Sequence, residues 1–399
     1  MGRTLKSHAE WKMLAWCRKT SRYSIAAAAK KAKVSEAKIA AWEDGSDSPS
    51  FHQLSLLASL YKRPTCVFYL QSPPTDFTIM KDFRSLQGKA VAISPNLALA
   101  IREAKERSNW LSGCLKASSA EPIEFIQSFS LRSNPERVGR FLRRLIDMKT
   151  SEQAQCSGKD AAFRLWRRKC EDVGVCVFMV GKIEPSEMRG FAIVDDYAPV
   201  VAVNSKDTPA AKSFTLLHEM AHLLIGEEGI SDIAFSSSKH VANRKVEAFC
   251  NAVAAATLVP AKQLIDAFAK FNNDHVMATV KLAKRYQVSE EVIARRLLDL
   301  GKVGKPFYRK IRSLCIARAA QAIQKKAEQP KRAVVIPQFR LTKSRIGSRF
   351  AKAAVGAFHE GEIDGTELSR LLGMKLDHLR DLESSLFPSR IGHGSALTS

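Results

Sequence analysis

The stretch FTLLHEMAHLLIG, Phe214 to Gly226, decides how this chain is read. It sets His218, Glu219 and His222 in a segment whose positions Phe214, Leu217, Met220, Ala221, Leu224 and Ile225 are apolar. Polar, titratable groups in so oily a segment need partners, because burying them alone is costly. Residues four apart share one helical face, so His218 and His222 can converge on one metal ion. Glu219 sits beside that face, where a carboxylate reaches water held by the metal. Zinc accepts two imidazoles, needs a third protein ligand and keeps an open position when it is catalytic. It then acidifies water and polarises a carbonyl while the Glu takes the proton. The same spacing also arises by chance, so the flanks matter. Asp207, Thr208 and Pro209 supply a helix start, and Gly226 supplies a stop. The motif therefore lies on a helix, near its C-terminal end.

A third ligand is found downstream. VANRKVEAFCNAVAAATLVP, Val241 to Pro260, reads as a second buried helix with Val246, Phe249, Cys250, Val253 and Ala254 as its apolar stripe. Glu247 interrupts that stripe, and Asn251 follows one turn later. A surface pairing of Glu247 with Arg244 or Lys245 is the plain alternative. Glu227 and Glu228 follow the helix-ending glycine too closely to fold back, and Asp232 is a weaker competitor. His240 ranks below these as a ligand but could line the cleft.

HEMAHLL, followed by ExxxN in an Ala-rich helix that ends in Leu-Val-Pro, resembles the ImmA/IrrE metallopeptidases, a gluzincin-like group. The resemblance is specific from about Ala161 to Pro260 and looser to about Pro306. It implies His218, His222 and Glu247 as ligands of one Zn2+ per chain, Glu219 as general base, and Asn251 as a support to the site. Known members cut repressor-type transcription factors, so the resemblance implies a protein substrate of that class.

Upstream, Gly174–Gly181 and Arg189–Asn204 alternate and are rich in β-branched residues. They predict a three-stranded antiparallel meander after a helix at about Asp160 to Glu171. Val200 to Asn204 is the expected edge, open to a substrate strand by augmentation. Tyr197 and His240 are the candidates for stabilising an oxyanion.

The amino-terminal quarter, SIAAAAKKAKVSEAKIAAWEDG from Ser24 to Gly45, reads as helix, turn and helix. Ser35 caps the second helix. With Pro49 and the run Leu54, Leu57, Ala58, Leu60, it resembles the Xre/Cro-type repressor domain over about Leu14 to Leu70. That resemblance implies DNA contacts from Ser24, Ser35 and Lys38. The chain departs from the pattern at two points. Ser24 and Ile25 stand where the family has a Thr-Gln pair, and Lys33 replaces the turn glycine, forcing a strained left-handed residue or a looser turn. The second helix offers mostly alanine, with Glu36 and Lys38, for reading base edges. A helical docking module that binds no DNA is the alternative.

The chain has 399 residues and a formal net charge of +23. Residues 1–35 hold nine Lys or Arg against one Glu, and residues 301–350 hold fourteen against one. Basic clusters of this kind suit nucleic acid or an acidic protein, or simply a solvated face. Eight cysteines occur with no CxxC pair, so a Cys-type structural zinc is not expected. No cysteine has the local setting of a Cys-His protease nucleophile. The start lacks an apolar signal segment, and no run approaches a membrane span. A cytoplasmic protein with no membrane partner is expected.

The expected fold is mostly α with a small antiparallel sheet, an α+β arrangement of four parts. Residues 1–72 are the helix-turn-helix domain, 73–155 a helical connector, 156–306 the zincin-like (gluzincin) peptidase domain, and 307–399 a basic helical C-terminal region. Val280 to Gly301 is again helix-turn-helix-like, with Arg295 and Arg296 read as surface charge first and DNA contacts second. The tail, with Gly373 at a turn, is read as a third such element or a surface for a homo-oligomer. The expected activity is zinc-dependent cleavage of a transcriptional repressor. The alternative is a DNA-binding regulator or antitoxin in which the peptidase fold serves as a sensor.

Overall fold

The computed structural model describes residues 5–74, 93–227, 229–231, 241–271, 274–328 and 335–387. His240, Asp232, the segment 75–92 and the tail from 388 lie outside them. Contacts divide the chain into two units, Met1–Glu106 and Arg107–Ser399.

The first unit holds α1 (Trp11–Thr20), α2 (Ile25–Ala32), α3 (Glu36–Asp44) and α4 (Phe51–Tyr61), then a 3-10 turn, Thr65–Tyr69. Ser24, Ser35 and Ser50 each cap the following helix by accepting a backbone N–H through the side chain. Between α2 and α3, Lys33 takes the left-handed conformation, φ 57° and ψ 44°. Trp42, Ile39, Leu54, Tyr61 and Phe68 fill the core. Arg18 of α1 donates to both carboxylate oxygens of Glu43 on α3, at 2.6 and 2.8 Å, and to the carbonyl of Tyr23. This bidentate pair locks α1 against α3.

The division falls inside α5 (Pro95–Ala117). The second unit continues with α6 (Pro135–Leu145), α7 (Thr150–Gln155) and α8 (Lys159–Asp172), then β1 (Cys176–Val180), β2 (Gly190–Ile193) and β3 (Val200–Asn204). Next come α9 (Pro209–Ile225), β4 (Gly229–Ser231), α10 (Val241–Leu258), α11 (Ala261–Phe268), α12 (His275–Arg285) and α13 (Glu290–Asp299). The chain ends with α14 (Lys305–Glu328), α15 (Gln338–His359), α16 (Gly365–Leu372) and α17 (Leu379–Leu386). The fold is thus mostly α with one small sheet. No single helix among the described residues is long and apolar enough to cross a membrane.

The sheet departs from the expected antiparallel meander. Its order is β1-β3-β2-β4, with β1 parallel to β3 and the other pairs antiparallel. The sheet is therefore mixed, and β3 is an interior strand instead of an edge. Every residue of β3 is buried, as a strand covered on both faces and paired on both sides requires. Its unbroken Val-Val-Ala-Val run was the signal. The nine-residue connection from β1 to β2 leaves room for β3 to enter between them. Asn204 fixes that connection by donating to the carbonyls of Ile183 and Met188.

The division cuts the expected connector: residues 93–106 fall in the first unit, whereas 107–155 and the described part of the expected C-terminal region fall in the same unit as the peptidase elements. Helix α6 crosses α10 at Gly139, where a Cβ would stand 2.8 Å from Ala256 Cβ and 3.0 Å from Thr257 N. Arg143, Gln153 and Arg296 donate to the successive carbonyls of Thr257, Leu258 and Val259, satisfying the buried C-terminal end of α10. Arg296 is 5% exposed and pairs with Glu136, and Arg295 pairs with Asp299. The reading of Arg296 as surface charge is corrected accordingly: it is a buried strut. Helix α15 bends at Gly347 (φ 78°, ψ 165°), where a Cβ would stand 2.9 Å from the Val177 carbonyl of β1. Arg167 clamps this contact by donating to the carbonyls of Ser344 and Val177.

Candidate metal centre

Helix α9 begins where the sequence marks it. Thr208 accepts from Ala211 N–H, Pro209 opens the first turn, and Gly226 closes the helix in the left-handed conformation at φ 71°. The last carbonyls do not face solvent: Gln127 and Phe129 donate backbone N–H groups to Leu223 and Leu224. The helix is thereby held deep in the core, with His218 at 3%, Glu219 at 0% and His222 at 1% exposure.

Helix α10 brings Glu247 to the same point. His218 Nε2 and His222 Nε2 are 3.2 Å apart, and Glu247 Oε2 and Oε1 lie 3.2 and 3.4 Å from them respectively. Among the described residues this is the group of His, Cys and acidic side chains whose donor atoms converge to hold a metal ion. Ligands about 2.0–2.2 Å from a tetrahedral zinc stand about 3.3 Å from one another. The separation of the two imidazole nitrogens matches that edge length, and each of them has a Glu247 oxygen, a different one for each, at a similar distance, so the donor set fits the ion in chemistry and in spacing.

Burial raises the Glu247 carboxyl, but the hydrogen bonds and charge of His218 and His222 outweigh it and bring the pKa from 4.5 down to about 2. A depressed acid stabilises the fold above its ordinary pKa and loses that contribution as pH falls to the depressed value. The metal-free protein is therefore expected to lose stability between about pH 4.5 and pH 2, with a shallower loss in Glu247→Gln, measured by chemical denaturation across that range.

Asn251 accepts at Oδ1 from His218 Nδ1, at 3.1 Å. This contact selects the tautomer whose Nε2 lone pair points at the metal position. Asn251→Ala is expected to weaken metal affinity about 10–100-fold, measurable by competition with a chromophoric chelator. Cys250 lies on the same helix. Its burial, with Glu247, Glu219 and Glu227 nearby, pushes its thiol well above the ordinary value, so it remains a neutral apolar residue.

Gly190, which the sequence reading did not single out, sits at the start of β2 against the Glu219 carboxylate. A Cβ there would stand 2.8 Å from Glu219 Oε1 and closer still to the Thr215 methyl. Its signal was a glycine inside a strand, which marks a close approach. Gly190→Ala is expected to displace the carboxylate and suppress hydrolysis while zinc content is retained. Adding Thr215→Ser, which removes the methyl, separates that effect from crowding of α9.

Tyr197 is placed elsewhere. It lies on the connection from Ile193 to Val200, at the end of β2 opposite Gly190, with Lys116 Nζ 5.0 Å from its ring centroid. In the first unit, Ser24 and Ser35 spend their hydroxyls on helix caps, and Lys38 is exposed on α3.

Comparison with known proteins agrees with this geometry. Residues 170–298 match the family model of the IrrE N-terminal-like domain, peptidase M78. The chain is 35% identical over 92 residues to the radiation response metalloprotease IrrE of Deinococcus deserti, and 34% identical over 92 residues to that of Deinococcus radiodurans. Each match covers 23% of this chain and, respectively, 32% and 28% of the relative, so the chain spans less than a third of the length of these proteins. The matched region, residues 170–298, contains all three converging side chains, so the candidate metal centre lies in a domain similar to that of the ImmA/IrrE metallopeptidases.

Proposed function

We propose that this chain is a zinc-dependent endopeptidase of the cytoplasm whose repressor-like N-terminal domain directs it to its target, a transcriptional repressor. The convergence of His218, His222 and Glu247 beside Glu219 carries the reading. Zinc, when bound, supplies a Lewis acid that polarises the scissile carbonyl and lowers the pKa of water. His218 and His222 would hold it through their ring nitrogens, with Asn251 orienting the first of them and Glu247 adding a carboxylate. Glu219 takes the proton of the attacking water and delivers it to the leaving amine. β4 is the sheet edge next to β2, so substrate backbone adds there and not at β3. All eight cysteines are free thiols, which suits a reducing compartment.

The test is incubation of the zinc-loaded full chain with a proteome-derived peptide library and with repressor proteins, reading new termini by mass spectrometry. Cleavage by the parent that is absent in Glu219→Gln supports the reading. No new terminus from protein with stoichiometric zinc sinks it. The capped α2–α3 pair favours a second reading, a DNA-binding regulator with the peptidase fold as sensor. Binding to one duplex sequence that is lost in Lys38→Glu would move the weight there.

A further inference from the structure

We propose that the opening turns of α14, with Lys302 just before them, form a phosphate-contacting surface for duplex DNA. Among the described residues of the 301–350 segment, some basic side chains are already committed to partners and others are exposed with no ion pair. Arg312 and Arg318 pair with Glu291 and Glu290 at 3.5 and 2.7 Å. Arg345 and Lys343 donate to the main chain of the α16–α17 region. Lys302, Lys305, Arg309 and Lys310 are exposed and make no ion pair among the described residues. No acidic residue stands between positions 302 and 310.

These four cations are held on a fixed platform. Ile311 is 1% exposed, the Tyr308 hydroxyl meets Glu291 Oε1 at 3.3 Å, and α14 packs on α13. Lys305 and Arg309 are one helical turn apart and share a face. Like charges so spaced repel one another, and a polyanion relieves that repulsion while releasing its own counterions. The exposed residues from 301 to 310 are Gly, Lys, Pro and Arg only. Residues 301–310 thus expose no aromatic or large apolar anchor of the kind on which protein interfaces depend, the exposed Leu314 and Ile316 lying further along the helix, whereas phosphate contacts need only cations. The outward face of α3 is the poorer alternative: Glu36 and Asp44 are exposed there, and Arg18 is bound to Glu43.

The inference rests on α14 and not on the metal centre. It is tested by fluorescence anisotropy of a labelled random-sequence duplex with the full chain over a range of salt. The triple variant Lys305→Glu, Arg309→Glu, Lys310→Glu is compared with Lys30→Glu, Lys31→Glu, Lys33→Glu. The α14 variant is expected to bind about tenfold or more weakly, with a salt slope reduced by about three. Its zinc content and melting temperature should match the parent, and the α2 variant should stay near the parent. The proposal is overturned if the α14 variant binds like the parent, or if only the α2 variant loses binding. It is equally overturned if polyglutamate competes as well as DNA, which would mark the surface as a dock for acidic protein.

Discussion

Glu219→Gln is expected to lower peptide hydrolysis by about 10²–10⁴-fold, the range that a positioned general base contributes, with zinc content unchanged. The substitution preserves the shape of a side chain that is 0% exposed and wedged between α9 and Gly190. It removes only the capacity to accept a proton. Glu219 is not one of the three converging donors, so metal and activity should separate in this variant. The paired measurement is elemental analysis beside turnover of whichever library peptide the parent cleaves. Zinc lost together with activity would place Glu219 among the ligands. Activity retained would remove it from the chemistry.

Glu247→Ala is expected to empty the metal site. It removes the charged member of the donor set, leaving two imidazole nitrogens 3.2 Å apart with no third protein ligand among the described residues. Catalytic zinc sites use three. Ligand binding to the folded state adds about 4 kcal/mol of stability when free metal is about 1,000 times its dissociation constant. The parent should therefore melt at a clearly higher temperature with zinc than with chelator, and Glu247→Ala should melt alike in both. A zinc-dependent shift that survives in Glu247→Ala would mean that another residue completes the site. His218→Ala serves as the matched control, since it removes a ligand from α9 instead of α10.

Much of the centre was legible in the chain itself. The spacing of His218 and His222, the Thr208-Pro209 start and the Gly226 stop are short-range signals, and the helix they describe is the one observed. Glu247 stood out because a carboxylate in an apolar stripe needs a partner. The capped pair α2 and α3 was read from Ser24 and Ser35 in the same way. These features depend on residues within a few positions of one another, so backbone geometry and capping chemistry are enough to predict them.

Only the tertiary structure decided the rest. That β3 lies between β1 and β2, that Gly190 is where β2 meets Glu219, that Arg296 is buried against Glu136 and that α15 bends at Gly347 onto β1 are all contacts between distant segments. Strand alternation tells which residues are buried but not which strand is the neighbour, and a glycine or arginine carries no local mark of what will approach it. By itself the sequence determined the helix that carries His218, Glu219 and His222. Long-range packing decided the order of the sheet and the partners that hold that helix in place, because those are selected by complementary surfaces that exist only once the chain has folded.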